Sequence, residues 1–119
     1  MNVHYPVCVA PLLASHRKVE ALLDQVSRSL AAGTFDVAAF RSAWELCREL
    51  YPHEQEWIAT VHGAAARKIA RQHDEALELA AAVDEAGDDR AALARRFVAI
   101  VQHTIIEVER DVFPLAGEN

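Results

Sequence analysis

Turn-forming residues are scarce: four glycines and four prolines stand among 119 residues, against 23 alanines. That balance favours helix, since alanine has the best helical propensity and glycine nearly the worst. No stretch alternates apolar and polar residues as a half-buried strand would, and there is neither a low-complexity linker nor a repeat at fixed period. Two cysteines, Cys8 and Cys47, are too few for a disulfide scaffold, and reduced thiols suit a cytoplasmic chain. The N-terminal stretch lacks the basic region and following apolar region of a signal peptide, which points to the same compartment. No apolar run approaches the roughly 20 residues of a membrane-spanning helix. Excess positive charge is missing too: a net charge of −6 argues against nucleic acid or an anionic membrane surface as partner. No Ser/His/Asp arrangement, glycine-rich phosphate loop or local metalloprotease motif is present, so no catalytic residues are evident.

What is present suits one domain spanning residues 1–119, since 52% of the residues are hydrophobic and can fill a single core. Gly33, Gly63, Gly87 and Gly117 divide the chain almost evenly, and glycine favours the position just past a helix end. The first helix is expected from about Pro11 to Ala32, with Leu12, Val19, Leu23, Val26 and Leu30 at helical spacing. Thr34 is the expected cap of the second, with Asp36 in its first turn and a stripe of Phe40, Trp44, Cys47, Tyr51, Ile58 and Val61. Pro52 should kink or split that helix. The third runs from about Ala64 to Ala86 through Ile69, Leu77, Leu79 and Val83. The fourth starts near Asp88 or Asp89, turns Leu93, Phe97 and Ile100 inward, and stops before Pro114. Short connections between four such helices predict an all-α fold, an antiparallel up-down-up-down four-helix bundle.

Six histidines are the second unusual count. If the turns at Gly33 and Gly87 share one end, the rise per helical residue gives heights above it. They are about 25 Å for His16, about 27 Å for His53, about 21 Å for His73 and about 22 Å for His103. One histidine per helix thus falls in a common layer, on or beside the apolar stripes. His4 and His62 lie apart and read as solvated or hydrogen-bonded residues. Burying several imidazoles without partners is costly, and a metal ion offsets that cost. His103 and Glu107 place nitrogen and oxygen donors on one face at i, i+4. Mixed histidine and carboxylate ligands inside a four-helix bundle are the pattern of di-iron or di-manganese sites. Cys47 stands lower, which disfavours a cysteine-rich zinc site.

At these residues the sequence resembles the hemerythrin-like family of HHE cation-binding domains, over nearly the whole chain. The family pattern has a histidine in the first helix, a His-x-x-x-Glu pair in the second, a histidine in the third and a second such pair in the fourth. Leu-Leu-Ala-Ser-His16 looks like the first element and Arg-Gln-His73-Asp-Glu like the third. His103-Thr-Ile-Ile-Glu107, closing with Val-Phe113-Pro114-Leu, looks like the fourth. The second element departs from the pattern, because Trp57 stands four residues after His53. Glu49, Glu54 and Glu56 are the alternatives for its carboxylate, and Pro52 bears on which one turns inward.

The resemblance implies a non-haem di-iron centre with ligands among His16, Glu49, His53, Glu54, His73, His103 and Glu107. It implies binding or sensing of dioxygen or a related small ligand such as nitric oxide or peroxide, or of iron. Apolar walls from Trp44, Trp57, Phe97 and Ile100 would exclude water. The alternatives are a di-iron oxidase or peroxidase-like enzyme and a helical interaction module with a vestigial or single-metal site. The alanine-rich third helix suits close packing within the bundle or across a homodimer, so both monomer and dimer stay open.

Overall fold

The computed structural model describes residues 9–116. Four long helices follow one another: α1 (Val9–Ala31), α2 (Val37–Val61), α3 (Gly63–Glu85) and α4 (Arg90–Glu107). A π-helical stretch, Val108–Val112, and a last short turn, α5 (Phe113–Ala116), continue α4. The fold of the described residues is all-α, without a strand, and no helix among them is long and apolar enough to cross a membrane. Cys8 and His4 lie outside the described residues.

In α1 the buried positions are Leu12, His16, Val19, Leu23, Val26 and Leu30, the spacing of three and four that lines one helical face. His16 therefore occupies a core position by its place in an apolar stripe. The helix ends where Gly33 adopts φ +81, a left-handed conformation that a side chain would strain. The cap of α2 is Asp36, whose carboxylate accepts from the Ala39 N–H at 3.0 Å, whereas Thr34 Oγ1 bonds back to the Ser29 carbonyl. Pro52 does not split α2, which runs unbroken to Val61. Its ring is exposed, on the side where solvent can meet the carbonyl that it deprives of a donor.

Gly63 is not a stop but the first residue of α3. The only residue between the two helices is His62, whose N–H reaches the Ile58 carbonyl at 2.7 Å while its Nδ1 accepts from the Ala65 N–H at 3.3 Å. The side chain that sequence leaves as a bystander is thus a helix cap.

Helix α1 packs against α2 and α4, and α3 packs against α2 and α4, so the four enclose one core. Phe40 meets Phe97 edge-on at 5.2 Å in its interior, with Leu23, Val26, Cys47 and Ile58 sealed from solvent. Each such large side chain contributes about 1.5–3 kcal/mol by its burial. Ala76 and Ala80 of α3 face inward rather than forming an outer surface, and Ala94 of α4 does the same. Small inward residues let neighbouring helices approach closely.

Candidate metal centre

Three buried polar side chains from three helices meet in this apolar interior: His16 of α1, Glu54 of α2 and His73 of α3, none more than 2% exposed. Glu54 joins the other two. One carboxylate oxygen, Oε2, lies 2.5 Å from His16 Nε2, and the other, Oε1, lies 2.9 Å from His73 Nε2. The second nitrogen of each ring is also held. Glu109 Oε2 accepts from His16 Nδ1 at 2.8 Å, and the Gln55 amide sits 2.7 Å from His73 Nδ1. Aromatic faces fix the ring planes: Tyr51 stacks on His73 at 3.6 Å between centroids, and Phe113 stacks on His16 at 5.5 Å. Trp57 closes against Phe113 edge-on at 5.5 Å.

The electrostatics follow from this packing. Burial alone would lower the His16 pKa, but Glu54 and Glu109 on its two nitrogens more than reverse that and hold it above the ordinary value. Burial would likewise raise the Glu54 pKa, and its hydrogen bonds to His16 and His73 bring it below the usual carboxylate range instead. Both nitrogens of His16 face carboxylate oxygens, an arrangement that favours the protonated ring over the neutral one. Beside this group, burial pushes the Cys47 thiol up to about 11 and the Tyr51 hydroxyl well above its ordinary range. Both stay protonated at neutral pH.

The sequence places the inward histidines correctly on α1 and α3, and Glu54 on the buried stripe of α2 between Tyr51 and Ile58, but His53 on α2 and His103 on α4 do not turn inward. His53 and Glu49 are exposed on α2, as is Glu56, and Glu54 is the residue that turns in. His103 has a side chain 63% exposed and lies 3.2 Å from Glu107, while the adjacent Thr104 is buried. Glu107 is buried but faces α3: Lys68 Nζ is 2.5 Å from its Oε2 and Gln72 donates to its Oε1 at 3.2 Å. The Lys68 ammonium, and secondarily Gln72, hold its pKa below the ordinary carboxylate value. Trp44 and Phe97 both pack on Phe40. The rings that enclose the centre are Tyr51, Trp57 and Phe113.

Glu109 and Gln55 are the residues that sequence spacing does not reveal. Glu109 lies in the π-helical stretch, which takes one more residue per turn than an α-helix and so redirects the side chains after Glu107. Glu107 thereby serves α3 and Glu109 reaches α1, where Arg17 also grips it. The open groove lined by Gly33, Phe35, Gly87, Arg90 and Arg95 contains none of these residues.

Among the described residues, no three histidine, cysteine, aspartate or glutamate groups are spaced to hold a metal ion as they stand. His16 and His73 bond to Glu54 directly instead. The donor types nevertheless fit an ion. Metal-bound imidazoles characteristically anchor their second nitrogen on a carboxylate or other polar group, as His16 and His73 do here on Glu109 and Gln55. Two donors on one ion, each roughly 2.1 Å from it, stand roughly 3.4 Å apart in tetrahedral geometry. Opening either hydrogen bond to that separation takes less than about 1 Å of movement. Comparison with models of known protein families, with curated proteins and with solved structures finds no match for this chain.

Proposed function

We propose that the chain is a hemerythrin-like metal-binding protein whose non-haem iron binds or senses dioxygen or a related small ligand. The observation that carries this reading is the convergence of two buried imidazole Nε2 atoms on the two oxygens of one buried carboxylate. Two histidines and one carboxylate with positions left open are a donor set for ferrous iron. Bound iron would supply an open coordination position for a diatomic ligand. The chain supplies the rest: Glu109 and Gln55 orient the imidazoles, and Tyr51, Trp57 and Phe113 exclude water.

Because each oxygen of Glu54 faces a different histidine, the reading extends to two irons that would share the Glu54 carboxylate, with Glu107 and His103 as flanking donors. Leu50 favours a second reading, a single ion shared by both histidines. It stands four residues before Glu54, where the His-x-x-x-Glu spacing requires histidine, and its side chain carries no donor. An up-down-up-down order is part of the proposal. Its support is the pairing of Arg41 with Asp84 and of Glu54 with His73, in which a later residue of α2 meets an earlier residue of α3.

Metal analysis with an optical spectrum tests the proposal. Two irons per chain with oxygen-sensitive charge-transfer bands are expected of the bridged centre, and one iron of the shared one. Steady peroxide consumption would favour the enzyme reading. A chain that refuses ferrous iron and keeps the same melting temperature in its presence would refute metal binding altogether.

A further inference from the structure

The end of the bundle away from the buried histidines carries a groove that the metal-binding reading does not use. Gly33 and Gly87, from the turns before α2 and α4, line a cavity of about 450 Å³ together with Leu30, Phe35, Arg90 and Arg95. Small-molecule sites typically enclose about 300–1,000 Å³. Asp88 adds one carboxylate to the lining. Leu30 and Arg95 also line an adjoining space of about 230 Å³, with Ser27 and Ala31 of α1 and Val98 of α4. On the other side, the space beside Phe35 and Phe40 holds only about 40 Å³. The groove therefore has room to extend along α1 and α4 and little room toward α2.

Two guanidinium groups on one groove set the chemistry. Arg90 Cζ stands 4.8 Å from the centre of the Phe35 ring, a stacking that fixes its planar group. Among the described residues the arginine ion pairs engage Arg17, Arg28, Arg41 and Arg110, and neither Arg90 nor Arg95 takes part in one. The planar fork of an arginine matches a carboxylate. Two arginines against Asp88 leave the groove with one net positive charge, which suits a monoanion better than a dianion. Beyond the charges the floor is apolar, since Leu30 and Val98 are both core residues. From Ala91 to Val98 that floor follows α4 for about 10 Å, the reach of a medium-length hydrocarbon chain. We propose that this groove binds an amphipathic monocarboxylate, its head group between Arg90 and Arg95 and its tail over Leu30 and Val98. Nothing in this assignment depends on iron.

The test titrates the full chain with octanoate by calorimetry, using octanol and inorganic phosphate to represent tail and head alone. Octanoate is expected to bind at least about tenfold more tightly than either, because only it combines the charge-assisted hydrogen bonds with the buried tail. Arg95→Gln is expected to weaken octanoate about tenfold. Arg96→Gln makes the same change of charge one residue along, outside the groove lining, and should leave affinity within about twofold of the parent. Gly87 is not left-handed, and a Cβ built there meets nothing within 4 Å. Gly87→Leu thus fills the space without straining the turn, and it should abolish binding. Octanoate that binds no better than octanol or phosphate overturns the proposal. So do equal losses in Arg95→Gln and Arg96→Gln, or full binding in Gly87→Leu. Sedimentation of the ligand-free chain as a dimer that Gly87→Leu separates would make a second copy the occupant and overturn it as well.

Discussion

Glu54 illustrates how one residue decides the character of this interior. A lone buried carboxylate would be strongly disfavoured, and so would two lone buried imidazoles, yet together they satisfy one another. The interdependence gives a sharp expectation for the metal-free chain. Glu54→Ala leaves His16 and His73 buried without their shared acceptor, and removing one member of a buried pair typically costs about 3–5 kcal/mol. Urea unfolding of the metal-free variant should show a loss of that order, while Glu49→Ala, on the exposed side of α2, should stay within about 0.5 kcal/mol of the parent. Equal losses for the two would mean that the buried cluster does not hold the helices together.

At the scale of the helix, what sequence reveals depends on how well the apolar stripe fixes rotation about the axis. In α1 the stripe is unambiguous, and Leu12, Val19, Leu23, Val26 and Leu30 are all buried as their spacing indicates. Heights along the axes are equally legible, which is why His16 and His73 meet at one level. Rotation is the weaker coordinate, since successive residues differ by about 100°. On α2 and α4 the inward position is the residue after the histidine, Glu54 after His53 and Thr104 after His103. Glu109 is illegible for a further reason: its approach to His16 depends on a π-helical turn and spans 93 positions of sequence. Pro52 adds to the uncertainty on α2, because a proline in mid-helix is expected to bend or break it, and here the helix continues. Its ring lies on the exposed face, so Pro52→Ala should restore the missing hydrogen bond without disturbing the core. A gain of about 1–3 kcal/mol is expected in urea unfolding. A loss instead would show that the local shape imposed by Pro52 is needed to bring Glu54 inward.

Across the whole molecule the polar contacts form a continuous girdle. His16 ties α1 to α2 through Glu54 and to the π-helical end of α4 through Glu109. Glu54 ties α2 to α3 through His73, and Lys68 and Gln72 tie α3 to α4 through Glu107 and Thr104. Occupation of the centre therefore engages the tertiary fold and not one helix, so binding energy appears as folding energy. A ferrous ion held at a free concentration of 100 times its dissociation constant adds about 2.7 kcal/mol, or roughly 10 °C in melting temperature for a chain of this size. A chelator should reverse the rise. His16→Ala should abolish it, after allowance for the lower melting point of that variant without metal, because the donor from α1 is gone. His53→Ala, altering a histidine on the exposed face, should retain it in full. The pair separates two explanations of any measured iron binding. If His53→Ala loses the rise as completely as His16→Ala, the ion sits on the outside of α2 and the buried triad is a structural girdle alone. If only His16→Ala loses it, the ion is bound where the four helices converge, and the buried imidazoles are its ligands.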